Sequence, residues 1–438
     1  MTPTARRARA ASACSALLLS VAIGVALPVA AKAGADPQVP GEVLVRLRST
    51  ADLQPLLLKY SLSLRGQFGS RPIYRLSVIG AAVTNDVIAA LELEPTVFDA
   101  EPNVIHSSPE ARKNSPWAIG TPTDYVAQWA PHAMRLPQAH ALSKGAGVRV
   151  AVLDTGVDAT HPALAGKLVP GYDFVDGDFD PSDVITPGSL TYGHGTHVTG
   201  LVALAAPAAT LLPLRVLDAQ GMGNAWVLAE AMLYAVDPDR NPATNDGAQV
   251  INMSLGSVNR THLFDAVTQL VACTMPAPTD PANTFTDPSY HLDRQRCDAF
   301  GGAAVIVAAG NDGSRDIRQY PAAEGAYGLL PVTASNAQRR LATFANFGSW
   351  VDLAAPGEGI TSTMAGGGYA AWSGTSMAAP LVAGAAALLK AHEPGLSAKA
   401  IVRRLERISA PLCGTDDQRQ IDAEAALRNV RPDRAPCP

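Results

Sequence analysis

Two patterns of apolar spacing divide the chain. In the first, Val43, Val45 and Leu47 alternate with Glu42, Arg46 and Arg48, the period of two expected of a strand buried on one face. Residues 73–78 (IYRLSV) read as a second strand and 97–100 as a closing one. Between them Val87, Ile88 and Leu91 share one helical face, with Thr84 as cap and Glu94-Pro95 as stop. Two strand–helix–strand halves across residues 40–106 predict a small α+β ferredoxin-like sandwich. The second pattern begins later, where residues 148–153, 248–253 and 303–308 are apolar almost throughout and alternate with helical stretches at 225–236 and 262–273. Strands without a polar face, interleaved with helices, predict a mostly parallel α/β sheet with helices on both faces. The active site of such a sheet lies beyond the carboxyl ends of its strands.

Residues 107–120 (SSPEARKNSPWAIG) separate the two patterns and are polar, with two prolines, as in a linker or cleavable junction. The first 33 residues read as a signal peptide: Arg6, Arg7 and Arg9 precede an apolar run from Ala10 to Ala31, and Ala31-Lys32-Ala33 offers a small-x-small cleavage site. Arg6-Arg7 hints at twin-arginine export. No other stretch reads as membrane-spanning, so the mature protein is expected to be soluble and secreted, periplasmic or extracellular. Loss of Cys14 with the signal leaves Cys273, Cys297, Cys413 and Cys437, an even count that suits disulfides in an exported chain. Pairing Cys273–Cys297 and Cys413–Cys437 is favoured because each bridge closes a loop rich in proline or charge, although the connectivity stays open. A net charge of -5 and a pI near 6.0 leave no basic footprint for nucleic acid.

Chemistry gathers at four points. Gly374-Thr375-Ser376-Met377-Ala378-Ala379-Pro380 delivers a serine to the start of a helix running through Lys390, where free N–H groups favour negative charge. Pro380 reads as a first-turn proline, missing only an N–H that had no partner. Asp154 ends the first long strand in Asp154-Thr155-Gly156, and His194 opens a helix in His194-Gly195-Thr196-His197-Val198. Asn311 ends another strand in Ala308-Ala309-Gly310-Asn311. Each has an ordinary alternative: a cap, a turn residue, or for His194 and His197 a metal pair lacking further ligands. Together they fill every role in acyl transfer: Ser376 as nucleophile, His194 as base and acid, Asp154 as its orienter, and Asn311 with the Ser376 amide as oxyanion donors.

On these four motifs, and on the closing segment Gln420-Ile421-Asp422-Ala423, the chain resembles the subtilisin-like serine proteases across roughly 117–430. The resemblance implies a signal peptide (1–33), an inhibitor-like propeptide (34–110), a subtilisin-like peptidase domain (117–430) and a short tail (431–438). It implies a secreted, autoprocessed serine endopeptidase acting on proteins or peptides, cut within 107–120, with its own propeptide as intramolecular inhibitor. Narrow processing specificity, or a non-catalytic scaffold, are the alternatives; a scaffold would be expected to have lost one of the four groups. By the same resemblance Ser254-Leu255-Gly256 and Gly221-Met222-Gly223 form opposing edges of a peptide cleft. Ala308-Ala309-Gly310 then walls the S1 pocket, with Gln319 near its base, and Ala225 stands where relatives carry an aromatic lid, leaving the distal pocket more open. No acidic residue is evident in that pocket, so no strong preference for Arg or Lys is expected. Catalysis needs no cofactor. Structural calcium is considered for Asp173, Asp176, Asp178, Asp180 and Asp183, whose alternation suits either calcium or a solvated acidic turn. The insert between Cys273 and Cys297 is read as shaping the cleft or as a surface excursion.

Overall fold

The computed structural model describes residues 37–112, 118–183, 189, 191–351, 353–415, 417–432 and 437. The expected signal peptide, residues 1–33, lies outside the described residues. Those from 37 onward belong to one compact unit, Ala35–Pro438.

At its N-terminal end four strands, β1 (Gln38–Leu47), β2 (Leu62–Gln67), β3 (Ile73–Val78) and β4 (Val97–Ser107), form an antiparallel sheet ordered β2-β3-β1-β4. Two helices, α1 (Leu53–Lys59) and α2 (Thr84–Glu92), complete a βαββαβ chain, the topology read from the sequence. Val43, Val45, Leu47, Leu76, Ile88 and Leu91 make its own core. The sheet is not half-exposed, however. Leu44, Phe68 and Ile73 enter an apolar cluster of the larger domain, together with Trp226 and Phe285, so the second face is an interface rather than a wet surface. The alternating pattern was read correctly; what covers its polar side was not.

The larger domain is built on a nine-stranded sheet. Its centre is parallel: Thr210–Arg215, Arg149–Asp154, Val250–Met253, Ala304–Ala308, Leu329–Ser335 and Leu353–Pro356 lie side by side in that order. Successive residues feed opposite faces. Val150 and Val152 pack with helices His194–Ala205 and Thr375–His392, whereas Ala151 and Leu153 pack with helices Ala225–Val236 and His262–Val271. A strand buried on both sides needs no polar face, which explains the unbroken apolar runs. Cys273 pairs with Cys297 and Cys413 with Cys437, the favoured pairing, with Cα separations of 5.5 and 5.7 Å, so residue 437 of the C-terminal tail is tied back to the domain. Among the described residues, no helix is long and apolar enough to cross a membrane.

Candidate active site

Strand Arg149–Asp154 ends with Asp154 at the carboxyl edge of the sheet, and helix His194–Ala205 begins with His194 beside it. His194 Nδ1 lies 2.7 Å from Asp154 Oδ1, and both side chains are buried. His197 is not a partner in this chemistry. Burial lowers it to about 3, and its Nε2 lies 3.0 Å from the Ala370 carbonyl, so it serves as a neutral donor inside the fold.

Ser376 is the second residue of helix Thr375–His392. The sequence reading put Pro380 in the first turn; it is the sixth residue of the helix, and its missing N–H leaves the Ser376 carbonyl without its helical partner. Ser254 Oγ donates to that carbonyl at 3.0 Å, so one cleft edge braces the turn carrying Ser376. Asn311 is aimed with equal definition. Its Oδ1 accepts from Thr375 N at 2.9 Å and Thr375 Oγ1 at 3.0 Å, which turns Nδ2 toward the cleft.

All three polar groups converge on a residue not singled out in the sequence. Glu110 Oε2 accepts from Ser376 Oγ at 2.8 Å and lies 3.0 Å from His194 Nε2. Glu110 Oε1 accepts from Asn311 Nδ2 at 2.9 Å. The carboxylate is buried; Oε1 stands on the amide donor, where the oxygen of a reacting carbonyl would sit, and Oε2 lies between hydroxyl and imidazole. A Cβ at Gly374 would lie 2.1 Å from Glu110 Oε1, so glycine is needed there for close approach.

The backbone before Glu110 lies in the expected cleft. Ser107 pairs with Met222 on one side, and on the other it exchanges N–H···O bonds of 3.0 and 2.9 Å with Gly256. Ser108 N donates to Gly221 O at 3.1 Å. The two predicted edges thus face each other across an extended strand, and that strand is β4, which runs seven residues beyond its predicted end at 100. Leu255, Ala308 and Ala309 are buried. Gly310 has φ +96°, and a Cβ there would lie 2.5 Å from Gln319 Cγ, so Gly310 and Gln319 pack directly against each other. Gln319 Nε2 donates to Asp312 Oδ2 at 3.0 Å.

A sequence model described as the subtilase family matches residues 145–426, more than half the chain. The chain belongs to the subtilase family. It is a subtilisin-like serine endopeptidase, 34% identical over 394 residues to a thermophilic serine proteinase of Bacillus sp. (strain AK1), covering 86% of this chain and 84% of that one. Thermitase of Thermoactinomyces vulgaris is 35% identical over 299 residues, 66% of this chain and 90% of its own. Fervidolysin of Fervidobacterium pennivorans, a keratinolytic enzyme related to subtilisin, shares the fold with a TM-score of 0.68 at 22% identity, covering 92% of this chain and 62% of its own.

Three further features of this subtilase escaped the sequence reading. Ala225 is a buried helix residue, and an aromatic, Trp226, follows it and stacks on Phe68 of the N-terminal unit with ring centroids 3.9 Å apart. The region called more open is therefore covered here by that unit. Asp183 is buried, accepting from Thr155 Oγ1 at 2.9 Å and from Thr196 Oγ1 at 2.7 Å, and so ties the residue after Asp154 to the helix of His194. Asp173 is taken by Arg215 and by the amides of Val175 and Asp176. These two carboxylates are committed, so the described acids of 173–183 do not fit a shared calcium site. Among the described residues, the three acids that approach one another within 4.8 Å are Asp237, Asp239 and Asp246, elsewhere on the surface. Glu110 had no signal of its own, since a lone glutamate in a polar junction resembles any solvated charge.

Proposed function

We propose that this subtilase is exported as a zymogen and cleaves peptide bonds through Asp154, His194 and Ser376. Residues 34–110 would act as an intramolecular inhibitor until cut within 107–120. The observation carrying this reading is the Glu110 carboxylate held by Ser376, His194 and Asn311 at 2.8, 3.0 and 2.9 Å. It supports a catalytic centre that is assembled and blocked by its own chain. Export is supported by the charged and apolar character of residues 1–33, and both disulfides suit an oxidising compartment.

Catalysis follows from the same contacts. Ser376 Oγ bonds to the substrate carbonyl carbon while its proton passes to His194 Nε2, and the carbonyl oxygen gains the negative charge. Asp154 holds the imidazole by Nδ1 and stabilises its charged form. Asn311 Nδ2 and the Ser376 amide at the helix start receive the oxyanion. Collapse breaks the C–N bond, His194 protonates the departing amine, and water then repeats the attack on the acyl-enzyme. N-terminal sequencing and intact mass after incubation test the whole reading: a cut within 107–120 is expected, and a chain that never processes and never labels at Ser376 with a fluorophosphonate would refute it.

Two expectations arise here. Asn311→Ala should lower kcat by roughly 10²–10³-fold with KM little changed, a magnitude measured on subtilisin and carried over from it; steady-state kinetics on a peptide anilide provide the check, and a loss confined to KM would contradict the oxyanion role. The second concerns pH. Burial by itself would lower the His194 value, but the charge and hydrogen bond of Asp154, then those of Glu110, override it and hold the imidazole well above its ordinary 6.5. The contribution of the charged imidazole to the blocked state is therefore complete below the ordinary 6.5 and is lost as pH rises through the raised value. Fluorophosphonate labelling of the uncut chain should thus switch on at higher pH than labelling of the processed enzyme. Coincident pH profiles would exclude the Glu110 contribution.

A further inference from the structure

The segment closed by the Cys273–Cys297 disulfide touches neither catalytic group nor cleft edge in any contact described above. Its contacts run to the N-terminal unit instead. Arg71, in the turn between β2 and β3, makes a two-pronged ion pair with Asp293: Nε to Oδ2 at 2.9 Å and Nη2 to Oδ1 at 2.6 Å. Asp293 is 4% exposed. Arg46 of β1 donates to Thr284 Oγ1 at 3.2 Å and stands over the ring of Phe285. Asp287 Oδ2 accepts from Thr50 N at 3.0 Å. Phe285 and Tyr290 are fully buried and share an apolar cluster with Leu44, Phe68 and Ile73. Asp293, Asp287, Thr284 and two buried aromatics of the segment therefore meet Arg71, the Thr50 amide, Arg46 and three apolar side chains of the N-terminal unit.

We propose that this disulfide-closed segment is the receptor by which the peptidase recognises its own N-terminal unit, separately from the cleft. It determines how long the cut unit stays bound. Its chemistry is selective for an arginine in the turn after β2: the planar guanidinium of Arg71 matches the Asp293 carboxylate in a way a lysine would not. The bridge holds the ends of the segment together, and helix His291–Phe300 carries Asp293, so the acidic face is presented on fixed elements. The inference rests on the zymogen reading and adds to it a second anchoring site with its own partner chemistry.

The test uses the full-length chain, allowed to process itself, with retention of the cut unit followed by size exclusion and open sites counted by fluorophosphonate labelling. Arg71→Ala should shorten retention roughly 10²-fold, because a truncated partner of a buried ion pair raises the dissociation rate. The labelling rate of fully released enzyme should stay within about two-fold of the unaltered protein. Arg48→Ala, whose guanidinium among the described residues bonds Pro95 O and stacks on Phe98 within the unit, should leave retention unchanged. If R71A does not yield folded precursor, D293N reports from the peptidase side with the same expected shortening. The exchange R71D/D293R should restore part of the retention. Unaltered retention in R71A and D293N, in a chain that still processes, would overturn the receptor role alone. A chain that never processes would remove the zymogen reading and this inference together.

Discussion

Ser376→Ala is expected to lower peptide-bond hydrolysis by roughly 10⁶-fold and to leave the purified chain at its uncut mass. The size of the effect is known from subtilisin and is carried over by family membership. The physical reason lies in the contacts of the hydroxyl. Ser376 Oγ and His194 Nε2 meet at one oxygen of Glu110, 2.8 and 3.0 Å away, so the nucleophile and its base already share a point in space. An alanine removes the nucleophile and leaves the remaining donors, His194 and Asn311, on the carboxylate. The inactive chain should therefore keep its N-terminal unit bound, visible as a single species in intact mass and size exclusion. Continued trimming of the purified S376A chain at the wild-type position would mean that another protease makes the cut.

Glu110→Ala carries the second large expectation. Hydrogen bonds to a charged group contribute about 1.5–3 kcal/mol each, and the carboxylate makes three of them, coupled and not additive. Its removal should raise the fluorophosphonate labelling rate of the uncut chain by roughly 10–10³-fold, with processing accelerated in parallel. Glu110→Gln should fall between the two, because the amide oxygen can still accept from Asn311 while its nitrogen offers a proton to groups that themselves donate. The readout is labelling of uncut chain in the first minutes after mixing. Equal rates for the three proteins would mean that the main-chain strand through Ser107 and Ser108 blocks the cleft without help from the side chain.

Much of the architecture was legible because period and burial are coupled. Val150 to Leu153 are apolar at every position, since alternate residues enter clusters on opposite faces of the sheet, and that is visible in one line of sequence. The four chemical groups were legible for a similar reason. Asp154 ends a strand, His194 and Ser376 open helices, and Asn311 lies three residues past the end of strand Ala304–Ala308; glycines and small residues mark such corners. Less was legible wherever a second surface decided the outcome. Arg46 looked like the wet side of a strand and is a half-buried ion-pair partner of Asp99. Pro380 looked harmless in a first turn and is tolerated because Ser254 supplies the missing donor. Asp183 read as one of five acids suited to calcium or to a solvated turn and is a buried brace between two threonines.

From its residues alone, then, this protein declared its family, its two sheet-bearing parts, the pairing of its cysteines as a preference, and the side chains fit for acyl transfer. Those are properties of local spacing, and local spacing is written in the chain. Tertiary structure alone decided that a glutamate 266 positions before the serine lies against it, and that the insert closed by a disulfide contacts the N-terminal unit. Such contacts join surfaces far apart in sequence, and neither partner's neighbours carry a trace of the other.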